Sequence, residues 1–230
     1  MKRRIVIIGL STTAERIYNF IVKHNLFDVI GFALDKEYIK EHSYKDLPIF
    51  DLATLESKID SENDLLFVAI AWNKLNKDRM NVYSELSRRG FHFANIISPN
   101  SQIYSSISNE NIWIGDNVIV ETGALIGSNT FIDHNAYVGT HSIIKSHCYL
   151  GAKSLIAGKC IISEQCFIGL NATVFDEITI GRKCIIGACT IIKRNIPEFS
   201  IVKTNLNLNV IIQSNSDEIE TKLDANKNKR

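Results

Sequence analysis

The sequence lacks a strong net charge, a long apolar segment and cysteines at a metal-binding spacing. A formal net charge of +1 over 230 residues gives no electrostatic reason to expect nucleic acid or an anionic membrane as a partner. The apolar run Ile5–Leu10 follows basic residues, but it is too short for a signal peptide or a membrane span and is typical of a first strand. We therefore expect a cytoplasmic protein with no nucleic-acid and no membrane partner.

An aliphatic residue recurs at every sixth position from Ile114 to Ile192, without insertion, through fourteen repeats. Four positions after each of them lies a second row, in which eleven of fourteen residues are small and none is charged. Because side chains alternate between the two sides of a strand, both rows point inward. The six-residue period predicts a parallel β-helix with three hexapeptides per triangular coil and a rise of about 4.8 Å per coil.

Four of the five cysteines belong to the small inward row, where a free thiol acts as a small buried apolar side chain; they are Cys148, Cys160, Cys166 and Cys184. Their spacing is therefore that of the repeat, and we expect neither a disulfide framework nor a metal site. Cys189 lies one residue outside the row, and we expect it to be more exposed.

The residue before each inward aliphatic is also apolar in most repeats, although it should point outward. Residues eighteen apart stack, which places Phe131, Tyr149, Phe167 and Ile185 on one face of the prism. A patch of this kind normally marks a protein interface, so we expect an oligomer, a trimer around a threefold axis. The alternative is that the first domain or the C-terminal tail covers this face.

The first 96 residues switch to alternating strands and helices, which is typical of a small parallel α/β sheet. The predicted elements are a strand at Arg4–Leu10, a helix at Thr12–His24, a strand at Val29–Asp35, a helix after Asp51, a strand at Leu65–Ala71, a helix at about 76–89 and a closing segment at Phe91–Ile97.

The turn after the first strand keeps only the first glycine, Gly9, of a dinucleotide-binding fingerprint, which argues against an oxidoreductase. A strand that leads into a helix N-terminus can still bind phosphate, here with Gly9, Ser11 and Thr12. Asp35 ends the second strand, where a carboxylate reads a ribose or a base. The alternatives are an ordinary tight turn and a solvated carboxylate.

Three histidines, His134, His141 and His147, fall within one coil at turn positions of successive repeats. We therefore expect them at different corners of the prism. An exposed imidazole, with a pKa of about 6.5, suits a general base acting on a sugar amine or hydroxyl. The alternative for each is an ordinary surface histidine.

The whole chain resembles the bacterial sugar acyltransferases that include sialic-acid O-acetyltransferases and PglD-type N-acetyltransferases of nucleotide-linked amino sugars. The matching stretches cover about residues 3–198 in order and include RIVIIGLSTTAERI, VIGFALDKE, FVAIAWNKLNKDR, IISPNSQI and the repeats from YVGTHS to IIKRNIP. The resemblance implies a nucleotide-sugar-binding Rossmann-like domain at residues 1–96 and a left-handed β-helix acyltransferase domain at 97–198. We expect the C-terminal extension at 199–230 to be partly disordered, because it is polar and charged from about Ser214.

The resemblance also implies a homotrimer that binds acetyl-CoA along the β-helix between subunits and requires no metal. The family's cofactor contacts correspond here to Tyr149, Gly158, Leu170 and Ala188, and the backbone N–H of Gly158 would stabilise the oxyanion.

The match places the family's catalytic histidine at Thr140, which cannot act as a general base at neutral pH. His141, the next residue, is our first choice for the base. His134 is the reserve, because Ile132–Asn135 copies the family's base motif one repeat earlier. In the nucleotide loop, Thr12 replaces a glycine and Lys36 replaces an acidic residue, so we expect both at the substrate site and a different base or sugar.

The sequence favours an acetyl-CoA-dependent N-acetyltransferase that acts on a nucleotide-linked amino sugar in surface-glycan synthesis. The nearest alternative is O-acetylation of a sugar such as sialic acid. Two further hypotheses are a zinc enzyme like the γ-class carbonic anhydrases and a non-catalytic binding protein, the latter motivated by Thr140. The sequence leaves open the nucleotide, the sugar and the partner that orients His141.

Overall fold

The computed structural model describes residues 2–204. The first part of the chain is an α/β domain whose elements are β1 (Arg4–Ile8), α1 (Thr12–His24), β2 (Asp28–Leu34), a 3₁₀ turn (Lys36–Tyr38), β3 (Ser43–Tyr44), β4 (Leu47–Asp51), a 3₁₀ segment (Leu52–Ser57), β5 (Leu65–Val68) and α2 (Lys77–Arg88). The sheet order is β3-β4-β2-β1-β5, and all neighbours are parallel except β3 and β4. Neither helix of the described chain has the length and apolar character of a membrane span.

The sequence predicted this domain with three local differences. The helix expected after Asp51 is a 3₁₀ segment, capped by the Asp51 carboxylate, which accepts the Ala53 N–H at 3.0 Å. The β3–β4 hairpin was not predicted; its turn residues Lys45 and Asp46 adopt left-handed φ angles of 52° and 60°. The closing segment Phe91–Ile97 is not one strand, because only a single bridge joins it to β5 and its last two residues pair with the second domain.

The second part of the chain is a left-handed parallel β-helix with three faces. The first face contains β6 (Ile96–Ile97), β8 (Trp113–Ile114), β11 (Phe131–Ile132), β14 (Tyr149–Leu150), β17 (Phe167–Ile168), β20 (Ile185–Ile186) and β22 (Ile201–Val202). The second face contains β7 (Gln102–Ile103), β9 (Ile119–Val120), β12 (Tyr137–Val138), β15 (Leu155–Ile156), β18 (Thr173–Val174) and β21 (Ile191–Ile192). The third face contains β10 (Leu125–Ile126), β13 (Ile143–Ile144), β16 (Ile161–Ile162) and β19 (Thr179–Ile180).

The chain turns at three edges, named here after the faces they join: edge 1–2, edge 2–3 and edge 3–1. From Asn129 to Cys189, the second residue of each turn has a left-handed φ, as His141 does at 56°. Its N–H donates to a carbonyl one coil away, as Lys159 does to Thr140 at 2.8 Å. The N–H of the first turn residue has no backbone acceptor in the described chain, so it can bind a side chain eighteen residues later. The N–H of Gly158 thus donates to Asp176 Oδ1 at 2.9 Å.

The inward rows form the core of the β-helix as predicted, and they include the four buried cysteines, whereas Cys189 is exposed. Two residues of the stacked apolar face are not available for the subunit interface that the sequence predicted. Phe131 and Tyr149 are buried against α1 and β5, and Phe67 stacks on Phe131 with ring centroids 5.7 Å apart. The α/β domain therefore covers the part of the first face around Phe131 and Tyr149, which was the alternative that the sequence left open, whereas Phe167 and Ile185 are half-buried.

A buried arginine closes this contact between the two domains. Arg79, on α2, is fully buried and lies 4.3 Å above the Phe131 ring. Its guanidinium donates to the carbonyls of Ala71, Asn129 and Cys148 at 3.0–3.4 Å, so backbone oxygens replace the usual carboxylate partner. Burial lowers the pKa of Arg79 to about 10, which keeps the group charged at neutral pH.

Candidate active site

A cavity of about 600 Å³ lies at the carboxyl ends of β1, β2 and β5. This is the position at which open parallel sheets bind ligands. Four predicted substrate residues, Gly9, Ser11, Thr12 and Asp35, line it, whereas Lys36 follows Asp35 in the chain but does not line the cavity. Gly9 has φ +117°, which side chains rarely tolerate, so this turn requires a glycine.

A second cavity of about 350 Å³ adjoins the first one and lies between the α/β domain and edge 1–2 of the β-helix. Thr12, Thr13 and Trp72 line both cavities. The second cavity also contacts Tyr149 and Leu170, two of the predicted cofactor residues. One wall is apolar and the other is charged.

The charged wall is a network centred on Asp133, which is 6% exposed. Its carboxylate accepts Arg16 Nη1 at 2.9 and 3.1 Å, the Trp113 indole N–H at 3.2 Å and the Tyr149 hydroxyl at 2.6 Å. Burial alone would raise the pKa of Asp133, but Arg16 and these hydrogen bonds hold it below its usual range. The network ties α1 to the first face with an ionised carboxylate.

Asp133 was not predicted as a site residue, although the sequence contains a signal for it. The residue after the inward aliphatic at edge 1–2 is glycine in four stacked coils: Gly115, Gly151, Gly169 and Gly187. A Cβ at Gly151 or Gly169 would approach backbone atoms of the next coil to 2.9 Å or less, so this stack has little room. Asp133 is the one interruption of the stack between residues 115 and 187, which marks it as a residue with a specific partner.

The third cavity, of about 410 Å³, lies at edge 2–3 and contains the predicted catalytic residues. It is lined by Tyr137, Thr140, His141, Gly158, Lys159, Asp176 and Glu177. The His141 imidazole lies over Gly123, where a Cβ would approach the ring to 2.1 Å. His141 is exposed, and among residues 2–204 its ring forms no hydrogen bond. Its nitrogens therefore remain open to a substrate.

Two hydrogen-bonded pairs complete this cavity. Asp176 Oδ1 accepts the N–H of Gly158, the amide that the resemblance assigns to the oxyanion, at 2.9 Å. Lys159 Nζ pairs with Glu177 Oε1 at 3.2 Å, on exposed side chains. The Gly158 amide therefore points outward and already binds an anionic oxygen.

The other two histidines lie at other edges, as predicted. His134, at edge 1–2, accepts the N–H of Asp116 at its Nδ1, 2.8 Å away, and packs against Trp113 and Phe20. His147, at edge 3–1, contacts Asn129 at 2.9 Å, and burial lowers its pKa. His134 thus has a structural contact at the domain interface through Nδ1, and its role as the reserve base stays a prediction.

The predicted cofactor residues occupy two edges of one chain. Gly158 lies at edge 2–3, whereas Tyr149 is on the first face beside edge 1–2, where Leu170 and Ala188 lie. Leu170 is exposed and lines the second cavity, but Ala188 lines none of these three cavities. One chain therefore does not bring these four residues together. Among residues 2–204, no group of three or more histidine, cysteine or carboxylate side chains is placed to hold a metal ion.

Two family models match the repeats. The model for the bacterial transferase hexapeptide (six repeats) matches residues 123–158, and the model for the hexapeptide repeat of succinyl-transferase matches residues 159–194. Comparison with curated proteins gives no significant match.

Solved structures match over both domains. A mutant perosamine N-acetyltransferase from Caulobacter crescentus, in complex with CoA and GDP-perosamine, is 24% identical with a TM-score of 0.76, over 86% of this chain and 91% of that chain. The acetyltransferase domain of PglB from Neisseria gonorrhoeae is 17% identical with a TM-score of 0.76, over 88% and 97%. WeeI from Acinetobacter baumannii is 17% identical with a TM-score of 0.68, over 87% and 96%.

At these identities the solved structures establish the fold, and the repeat models establish the type of β-helix. Together they confirm the resemblance that the sequence indicated. Residues 123–194 thus consist of transferase-type hexapeptide repeats, and the chain shares the two-domain fold of these solved structures.

Proposed function

We propose that this protein transfers the acetyl group of acetyl-CoA to the amine of a nucleotide-linked sugar in surface-glycan synthesis. The observation that carries the proposal is the cavity at the strand ends of the α/β domain, joined in one chain to transferase-type repeats. The Caulobacter relative was solved with CoA and GDP-perosamine, which supports this class of substrate.

The first cavity holds the nucleotide. The turn at Gly9 lets the backbone approach the diphosphate, and the free amides at the start of α1 point their positive end toward it. Ser11 forms no side-chain cap on α1, so its hydroxyl is available to a phosphate oxygen. Asp35 accepts hydrogen bonds from the ribose hydroxyls.

The chemistry takes place at edge 2–3. The sugar amine attacks the thioester carbon, the new C–N bond forms and the C–S bond breaks. The nitrogen loses a proton to the His141 imidazole, which passes it to the departing thiolate. The Gly158 N–H donates to the oxygen that becomes negative, and such donors are worth roughly 3–4 kcal/mol of barrier. The geometry fits an acyl oxygen, because this amide already binds a carboxylate oxygen.

The complete site requires a neighbouring subunit. The nucleotide cavity connects to edge 1–2 through the second cavity, whereas His141 lies at edge 2–3 of the same prism. In a homotrimer, edge 1–2 of one subunit faces edge 2–3 of the next, which unites Leu170 with Gly158. Exposed apolar side chains on the second and third faces support subunit contacts; they are Leu125, Leu155 and Ile191, each at least 40% exposed.

We place the reaction in the cytoplasm. The four buried thiols form no disulfide and suit a reducing compartment. No resident metal enters the proposed chemistry.

The test is release of free CoA thiol from acetyl-CoA with UDP-, dTDP- and GDP-linked amino sugars, with the product identified by mass spectrometry. We expect turnover with one nucleotide class and a product heavier by one acetyl group on nitrogen. Acetylation of a hydroxyl instead would replace the proposal with O-acetyl transfer. Binding of a nucleotide sugar without any transfer would make the protein a binding module.

A further inference from the structure

The Asp176 carboxylate is the feature of edge 2–3 that the proposed chemistry does not use. It lies in the third cavity with His141, and its only hydrogen bond within residues 2–204 is the one from the Gly158 N–H. No cationic side chain of the described chain forms an ion pair with it, because the nearby Lys159 is paired with Glu177. A negative charge therefore lies beside the amide where an acyl oxygen must become negative.

This charge has opposite consequences for two acceptors. A neutral hydroxyl acceptor leaves Asp176 uncompensated, so that it repels the developing oxyanion. An amino sugar arrives as an ammonium ion, which binds the carboxylate with a charge-assisted hydrogen bond. The ammonium then releases one proton to solvent and attacks as the neutral amine described above.

We propose that Asp176 is a specificity-determining residue that binds the ammonium group of the acceptor and selects amines over hydroxyls. This inference rests on the proposed function and narrows it, since it assigns the choice of acceptor to one side chain. The selecting group is the carboxylate, which the Gly158 N–H holds in the third cavity beside His141 until the acyl oxygen takes over this N–H.

The decisive variant is Asp176→Asn, which keeps an oxygen for the Gly158 N–H and removes the charge. The matched control is Glu164→Gln, because Glu164 occupies the same turn position two repeats earlier, at edge 3–1, and pairs there with Lys145. The two probes are the nucleotide-linked amino sugar that the wild type acetylates and its counterpart with a hydroxyl in place of the amine.

For Asp176→Asn we expect kcat/KM for the amine to fall by about 10- to 100-fold, with no fall for the hydroxyl and an unchanged KM for acetyl-CoA. Glu164→Gln should leave kcat/KM for the amine, kcat/KM for the hydroxyl and KM for acetyl-CoA unchanged. An unchanged Tm should show that Asp176→Asn is folded. Equal loss for both acceptors, or no loss for either, would overturn the inference.

Calorimetric binding of the two probes in the presence of CoA provides a readout that does not depend on transfer. We expect the wild type to prefer the amine and Asp176→Asn to lose that preference. If both proteins bind the amine equally well, the role of Asp176 is wrong while the proposed function stands. If the wild type binds neither probe, both fail together.

Discussion

Edge 1–2 and edge 2–3 are built from the same hexapeptide, yet one is closed and the other is open. At edge 1–2, the Asp133 carboxylate is buried under α1 and has four hydrogen bonds. At edge 2–3, the first turn residue Thr140 and its neighbour His141 are exposed, and the Gly158 amide reaches only an exposed carboxylate. The repeat supplies identical backbone at both edges. The α/β domain covers edge 1–2 and leaves edge 2–3 open. It therefore determines which side chains stabilise the fold and which remain available to a substrate.

The largest effect should come from the covered side of the prism. Replacing Arg79 with alanine leaves backbone carbonyls unpaired and opens a cavity above Phe131, so the free energy of unfolding should fall by about 3–5 kcal/mol. Urea unfolding measures this. Arg88→Ala on the same helix, at an exposed ion pair, should change it by less than about 0.5 kcal/mol. A loss for Arg79→Ala as small as this control would mean that the domain contact is not held here.

His141→Ala should separate chemistry from stability at the open edge. Loss of the base should lower kcat by about 10²- to 10⁴-fold, while the Tm stays unchanged because the ring has no hydrogen bond to lose within the described chain. His134→Ala should do the reverse, lowering the Tm through the lost bond to Asp116 and keeping kcat. If kcat falls in His134→Ala and not in His141→Ala, the two edges have been assigned the wrong way round.

Asp133→Asn should lower the free energy of unfolding by about 1–3 kcal/mol at neutral pH, because Arg16 and Tyr149 at edge 1–2 lose a charged acceptor. The matched exposed pair is Glu56 with Arg89, for which Glu56→Gln should cost less than about 1 kcal/mol. Chemical unfolding of both variants gives the comparison. Equal costs would show that burial adds nothing to the Asp133 network.

The smallest effect is the pH dependence of that network. The folded-state pKa of Asp133 lies below its unfolded value of about 3.9, so the ionised carboxylate stabilises the fold above that pH. This stabilisation is lost as the pH falls through the folded-state pKa. The difference in unfolding free energy between wild type and Asp133→Asn should therefore be constant from neutral pH to about pH 5 and shrink below pH 4. A difference that grows on acidification would contradict the assignment.

The fold was largely predictable because its main signal is repetitive. A six-residue period is compatible with one backbone geometry, the β-helix. The three faces, the inward rows and the placement of the three histidines at different edges therefore followed from residue numbers alone. The helix Thr12–His24 was also predicted with its observed bounds. The covering of the first face was not, because an apolar stack such as Phe131 and Tyr149 gives no indication of whether a domain or a subunit packs on it.

Several predicted site residues line cavities of the structure, whereas others were missed. Gly9 and Asp35 line the first cavity, and His141 and Gly158 line the third, as expected. Asp176 was missed, because its partner is a backbone amide one coil away, and only the stacked structure brings the two together.

The most direct test of the account is complementation between two inactive variants, Asp35→Ala in the nucleotide cavity and His141→Ala at edge 2–3. If the nucleotide cavity of one subunit works with edge 2–3 of its neighbour, some interfaces of a mixed oligomer combine an intact Asp35 from one subunit with an intact His141 from the other. We predict that coexpressed variants recover roughly a quarter of wild-type acetyl transfer. With random assembly of equal amounts, about half of the interfaces have the required variant on one side, and independently about half have it on the other. Mixed oligomers that form but stay inactive would contradict a site shared between subunits.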